Sequence, residues 1–245
     1  MKALAKDLIY RALAHFNFGG TVILMYHSVG WNGKLFTVNP EDFERQMKYI
    51  KKEGFRIIDL MELAELTKKR SNLAKTLVIT FDDGYEDNYI NVFPVLKKYS
   101  IKAIIFVVTA YLGQTIAASD GVTLKILSPE QIREMSVSGL IEFGAHGHEH
   151  IKLTKLSQPE IEYELKTSKQ TLADILNKEV YAFAYPFGRI DDSIKAAVGR
   201  YFKIACGVKK GRINQKADSL ELNRNSVDAA VSFGQFKGIV HFGRI

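Results

Sequence analysis

Two adjacent aspartates end a hydrophobic run in this chain. Leu77, Val78, Ile79, Thr80 and Phe81 read as a buried β-strand, and Asp82-Asp83-Gly84-Tyr85 follows at once. Aspartate is depleted from strand interiors, so a pair at a strand end suits chemistry better than packing. Neighbouring carboxylates repel unless a cation separates their roles, and a metal ion does so by taking one as ligand and leaving the other as a base. The plainer alternative is a helix N-cap with an acidic first turn, since Asp87 and Asn88 come soon after. A second constellation lies downstream, where Ile141-Glu142-Phe143-Gly144-Ala145 reads as a strand running into His146-Gly147-His148-Glu149-His150. Imidazole is the commonest neutral metal ligand, and two histidines with one carboxylate leave a zinc position open for water. His146 and His150 are spaced to converge on one ion, but His148 offers a rival pairing, and spacing alone does not choose between them. A solvated βα loop is the structural alternative, although such loops also carry function.

Thr80-Phe81-Asp82-Asp83-Gly84-Tyr85 and Gly144-Ala145-His146-Gly147-His148-Glu149-His150-Ile151-Lys152-Leu153 together resemble the first two signature motifs of the polysaccharide deacetylases, the NodB-homology group or carbohydrate esterase family four. Tyr185-Pro186-Phe187-Gly188 is similar to the third, a Pro-aromatic-Gly core. The resemblance implies Asp82 as catalytic base, Asp83, His146 and His150 as metal ligands, and the Tyr185–Gly188 segment as substrate and oxyanion contacts. It also implies a divalent cofactor, zinc first, with cobalt or nickel as alternatives.

The chain departs from the family pattern in two places. Ala184 stands where the family's third motif carries an arginine that orients the base, and no late leucine-x-x-histidine motif is evident. His241 is a poor substitute, being close to the chain end in a segment expected to fray. Val22-Ile23-Leu24-Met25-Tyr26 followed by His27-Ser28-Val29 instead resembles the N-terminal Tyr-His element of the circularly permuted poly-N-acetylglucosamine deacetylase branch, which implies His27 as general acid. For the missing arginine the candidates are Arg189 and Arg224, and the resemblance to the permuted branch favours Arg224.

These residues need elements to hold them. The chain has 245 residues, 47% of them hydrophobic, with no linker or repeat, which is enough for one large core. Strands are expected at 21–26, 55–58, 76–81, 102–108, 141–144, 181–184, 202–206 and 219–223. Helices are expected near 40–53, 60–69, 87–99, 128–138, 157–177, 191–200 and 232–238. Alternation of this kind implies a mainly parallel α/β sheet, with His27, Asp82, His146 and Tyr185 all at strand C-terminal ends, where a β/α barrel keeps its active site. The family's fold is an irregular (β/α)7-type barrel. An open doubly wound sheet is the alternative, though no Gly-x-Gly-x-x-Gly follows the first strand. Weak periodicity over 109–127 reads as a rim insertion able to contact substrate. Trp31 and Phe36 could form a sugar-stacking edge or pack on the barrel.

The division expected is an N-terminal amphipathic helix within 1–20 and a single domain over 21–245. Charged Lys2, Lys6, Asp7 and Arg11 interrupt residues 1–18, which excludes a signal-peptide core or membrane span; that helix either docks on the barrel or touches a membrane interface. Net charge is +7, but the lysines scatter over helix ends and no recognition motif accompanies them, against a nucleic-acid partner. The lone Cys206 excludes an intrachain disulfide and reads as a small buried hydrophobe; a cytoplasmic location is expected. The leading expectation is a metal-dependent de-N-acetylase of an N-acetylated saccharide. The alternatives are a silent carbohydrate-binding relative and an O-acetyl esterase or non-sugar amidohydrolase.

Overall fold

The computed structural model describes residues 19–117 and 123–243; the expected helix over 1–18 and its membrane contact lie outside them. Strands Thr21–Tyr26 and Thr76–Phe81 are buried along their whole length, as unbroken apolar runs in a parallel sheet should be. They pair in register from Val22–Leu77 to Tyr26–Phe81. Around them the main sheet runs in the order Ile204–Cys206, Ala182–Ala184, Ile141–Ala145, Ala103–Val107, Thr76–Phe81, Thr21–Tyr26 and Arg212–Ile213. Every pairing in it is parallel except that of Arg212–Ile213.

The period of two along each strand separates two apolar layers. Val22, Leu24, Leu77, Ile79 and Ile105 pack outward with Phe43, Met47 and Leu165 of the covering helices. Ile23, Val78, Ile104, Phe106, Ala182, Ala184 and Cys206 form a separate inner cluster. This is the curled α/β barrel arrangement that the sequence implies. Cys206 is fully buried, and burial pushes its thiol up to about 12, so it behaves as the expected small hydrophobe.

The late strand falls elsewhere than expected. Residues 219–223 make only a bridge from Leu222 to Cys206, while the strand proper is Asn225–Ser226, paired with Leu24 and Met25. One segment therefore touches both edges of the curled sheet, and Arg224 lies between the two contacts. Helix 87–99 also differs: a π-helical turn, Asn88–Val92, precedes the α-helix Phe93–Tyr99. Pro94 has no N–H to give Ile90, so the wider turn, with Phe93 N–H on the Asn88 carbonyl, takes over. The expected fraying around His241 is absent. Helix Phe233–Phe242 runs past 238 because Phe236, Ile239 and Val240 are buried, and His241 Nε2 meets the Tyr49 hydroxyl at 2.9 Å. Arg212 donates to the carbonyls of Gly19, Gly20 and His241, so the segment before the first strand and the last described helix meet at one guanidinium. Among the described residues no helix is long and apolar enough to cross a membrane.

Candidate active site

Val78, Thr80 and Asp82 share one face of their strand, so alternation carries Asp82 to the inner side of the sheet. There it is almost fully buried, which is costly for a carboxylate unless it is paired. Its partner is Arg224, itself fully buried, which donates from Nη1 to Oδ1 at 2.6 Å and from Nη2 to Oδ2 at 2.7 Å. The guanidinium is anchored in turn: Nε donates to the Gly207 carbonyl at 2.8 Å and Nη1 to Thr80 Oγ1 at 3.2 Å. Burial alone would raise the Asp82 carboxyl, but the Arg224 charge and its hydrogen bonds outweigh burial and hold it well below the usual carboxylate range. Of the two candidate arginines, Arg224 is thus the one beside Asp82, while Arg189 is exposed.

Asp83 goes the other way. The chain turns left-handed at Asp83 (φ 69°) and Gly84 (φ 73°), which swings the second carboxylate off the strand face. A Cβ at Gly84 would lie 3.0 Å from both Val107 methyls, so glycine is required there twice over. Asp83 Oδ1 faces His146 Nε2 at 3.5 Å and His150 Nε2 at 3.4 Å. His146 N–H continues the ladder to the Val107 carbonyl, and its ring Nδ1 lies 2.8 Å from the Ala184 carbonyl. A carbonyl only accepts, so Nδ1 carries a proton and Nε2 is the ring atom turned towards Asp83. Burial, with His146 beside it, pushes His150 down to about 4, which keeps that imidazole neutral. One ligand atom from each of the three lies within 4.8 Å of the others. Two imidazoles and one carboxylate form a donor set that fits a divalent cation with open positions.

The loop carrying these histidines hangs on a residue that the sequence reading missed. Glu164, buried on helix Gln158–Leu176, accepts the His148 N–H at 2.7 Å and the Glu149 N–H at 3.1 Å through Oε2, and the Glu149 N–H again at 3.2 Å through Oε1. Its approach leaves no room at Gly147 (φ 77°), where a Cβ would sit 3.0 Å from Oε2. The signal in the sequence is a charged residue within the buried stripe Ile161, Leu165, Ser168 and Leu172. His148 turns away from Asp83, with Nδ1 2.9 Å from Thr109 Oγ1.

The three donors and Asp82 open into a cavity of about 440 Å³. His27, which follows strand Thr21–Tyr26, lines it, and its carbonyl accepts from Asn88 Nδ2 at 3.0 Å. Phe36 stacks on Tyr85 at 6.1 Å and makes one wall. Tyr185, Phe187 and Val208 make another. The Tyr185 hydroxyl is committed to the Leu220 carbonyl at 2.8 Å. Buried Pro186 and Gly188 shape the turn, whose Gly188 N–H closes on the Tyr185 carbonyl at 2.9 Å. Phe187 is left-handed (φ 58°) and half exposed; its ring lies 4.6 Å from that of His150, with the Lys152 ammonium 5.0 Å above it. Within the expected rim insertion, Thr115–Ala117 and Thr123–Lys125 pair antiparallel, with Ile116 and Ala117 at the mouth.

Residues 69–201 match the family model described as polysaccharide deacetylase. A Bacillus subtilis protein that carries a polysaccharide deacetylase name, YxkH, is 30% identical over 216 residues, or 87% of this chain and 74% of its own. The poly-beta-1,6-N-acetyl-D-glucosamine N-deacetylase of Staphylococcus aureus is 30% identical over 77% of this chain and 66% of its own. Among solved structures, the Streptococcus pyogenes deacetylase PplD, in complex with acetate, superposes with a TM-score of 0.79 at 28% identity, over 92% of this chain and 99% of that one. IcaB from Ammonifex degensii, at 24% identity, shares the fold with a TM-score of 0.80, over 94% of this chain and 99% of its own. With its motifs at the C-terminal ends of a curled parallel sheet, the chain belongs to the polysaccharide deacetylase family.

Proposed function

We propose that this protein removes N-acetyl groups from a saccharide chain by hydrolysis. Asp82 would act as base, His27 as proton donor, and Asp83, His146 and His150 would hold a divalent cation, zinc before cobalt or nickel. The observation that carries the reading is the division between adjacent carboxylates: Asp82 is clamped through both oxygens by Arg224, whereas Asp83 faces two imidazoles. The cation supplies Lewis-acid polarisation of an acyl oxygen and a lowered pKa for water.

The chain's own groups do the rest. Asp82, kept ionised by Arg224, takes a proton from the attacking water. Negative charge on the former carbonyl oxygen needs a fixed donor, and the backbone N–H of Phe187 is the candidate in the turn that Tyr185, Pro186 and Gly188 shape. His27, when protonated, delivers its proton to the departing amine, without which the amide nitrogen is a very poor leaving group. Aromatic walls at Phe36, Tyr85 and Phe187 suit the apolar faces of a pyranose. The name of the Staphylococcus aureus relative makes N-acetylglucosamine polymers the first substrates to try.

The direct test is acetate release from a panel of N-acetylated saccharides by metal-stripped protein, with and without added zinc, cobalt or nickel. Metal-dependent acetate is the expected result. Tight metal binding with no acetate from any saccharide would overturn the reading.

A further inference from the structure

The loop between His27 and Val38 has two faces. Phe36 closes the reaction cavity, whereas the next residue, Thr37, lines a second cavity of about 310 Å³ together with Trp31. The loop is fixed by its own hydrogen bonds: Gly30 N–H to the Val38 carbonyl at 3.0 Å, Thr37 N–H to the Lys34 carbonyl at 3.0 Å, and Lys34 N–H to Asn32 Oδ1 at 3.0 Å. Ala229 N–H, reaching the Leu35 carbonyl at 2.9 Å, ties it to the far wall. On this ordered frame the chain's only tryptophan is 69% exposed.

Two buried polar side chains, Thr37 and Gln46, line the same space. Gln46 Oε1 accepts from the Tyr26 hydroxyl at 2.8 Å, but Thr37 Oγ1 has no hydrogen-bond partner in the protein. A buried hydroxyl left unpaired is costly, but this one is closed to the open space, so the reachable polar groups are those of Gln46 and the rim. Asp42 and Asp228 outweigh the single ammonium of Lys34 in the lining, which disfavours phosphate or any other anion. Asp42 N–H is already taken by the Asn39 side chain at 2.8 Å, so the helix start offers no anion site either.

A flat indole, side-chain amides, two carboxylates and the Lys34 ammonium around a cavity of this size match a polyol ring with one apolar face. We infer that this second cavity is an accessory subsite for a pyranose unit of the glycan, neutral or ammonium-bearing, stacked on Trp31 while another unit occupies the reaction cavity. That the ligand is a glycan rests on the deacetylase reading above; the pocket does not. Because Phe36 and Thr37 are consecutive, a single strand of backbone separates the two sites, and a chain of several sugars can engage both.

As the only tryptophan, Trp31 reports on its own surroundings. The metal-loaded protein would be titrated with mono-, di- and hexasaccharides of N-acetylglucosamine and of glucosamine, following tryptophan emission. A saturable change is expected with the hexasaccharides, with affinity about tenfold weaker in Asp228→Asn. In turnover, the ratio of KM between di- and hexasaccharide should fall towards one in Trp31→Ala and return in Trp31→Phe. Emission unmoved at concentrations that saturate turnover would overturn the subsite while leaving the deacetylase intact. A chain-length advantage that survives in Trp31→Ala would overturn it too. A saturable emission change without acetate release would uphold the pocket and sink the deacetylase.

Discussion

Asp82 and Asp83 are neighbours in sequence and opposites in surroundings, and that contrast sets the predictions at the scale of single residues. Asp82→Asn keeps an oxygen for one Arg224 bond but removes the proposed base, so turnover should fall by about 100- to 10,000-fold while bound metal stays stoichiometric, as measured by acetate release beside metal analysis. Near-native activity in Asp82→Asn would refute the role. His27→Ala should harm amide hydrolysis more than ester hydrolysis, because an ester's leaving oxygen needs less help from an acid; equal losses on matched N-acetyl and O-acetyl substrates would count against it. Asp87 offers a separate measurement. Burial raises its carboxyl to about 6, even though Ser28, Val29 and Asn88 hydrogen-bond to it. The unfolded value is near 3.8, so the folded chain holds the extra proton between the two. Its contribution to stability is full below the unfolded value and lost as pH rises through about 6. Relative to Asp87→Asn, the parent should therefore lose at most roughly 3 kcal/mol of folding free energy on going from mildly acidic to neutral pH, read from denaturant melts.

At the scale of elements, the loop from Gly147 to His150 shows what a helix does for chemistry it never touches. Glu164 takes two consecutive N–H groups and holds the left-handed His150 (φ 57°) against Asp83. Glu164→Leu leaves both N–H groups without an acceptor, and metal affinity should drop about 10- to 100-fold, the usual scale for groups that orient ligands. Calorimetric titration with zinc checks this, and an unchanged affinity would reduce Glu164 to a packing residue. This loop also marks where sequence reasoning ran out. Strands Thr21–Tyr26 and Thr76–Phe81 were legible because their apolar runs have only one use, and helix Gln158–Leu176 because Ser157 and Glu160 make a capping box. Glu164 was not legible, since what its carboxylate does depends on a loop that only the fold brings near. The π-turn at Asn88–Val92 was hidden likewise: Pro94 gives the reason, but the 3.6-residue pattern continues through it.

At the scale of the molecule, Arg224 links the proposed base, Asp82, to closure of the barrel. It sits between Leu222, bridged to Cys206 at one sheet edge, and Asn225, paired with Leu24 at the other. Arg224→Met would leave Asp82 buried without a partner, and the fold should lose about 3–5 kcal/mol, seen as an earlier urea midpoint. A loss below about 1 kcal/mol would mean the pair is dispensable to the fold. The sequence placed an arginine in this region but set the strand a few residues early, because Ser219–Leu222 carries the β-pattern and Asn225–Ser226 does not. Long-range pairing chose the polar segment over the apolar one. Arg212 holds the carbonyls of Gly19 and His241 together, and that contact bears on lineage and design. A backbone joined there by a short linker, and reopened in an exposed turn such as the one around Gly139, would trace the same barrel in another order. The order in which His27, Asp82, His146 and Arg224 are written along the gene is then a free variable, and relatives can be sought, or built, by shuffling segments rather than by aligning them end to end.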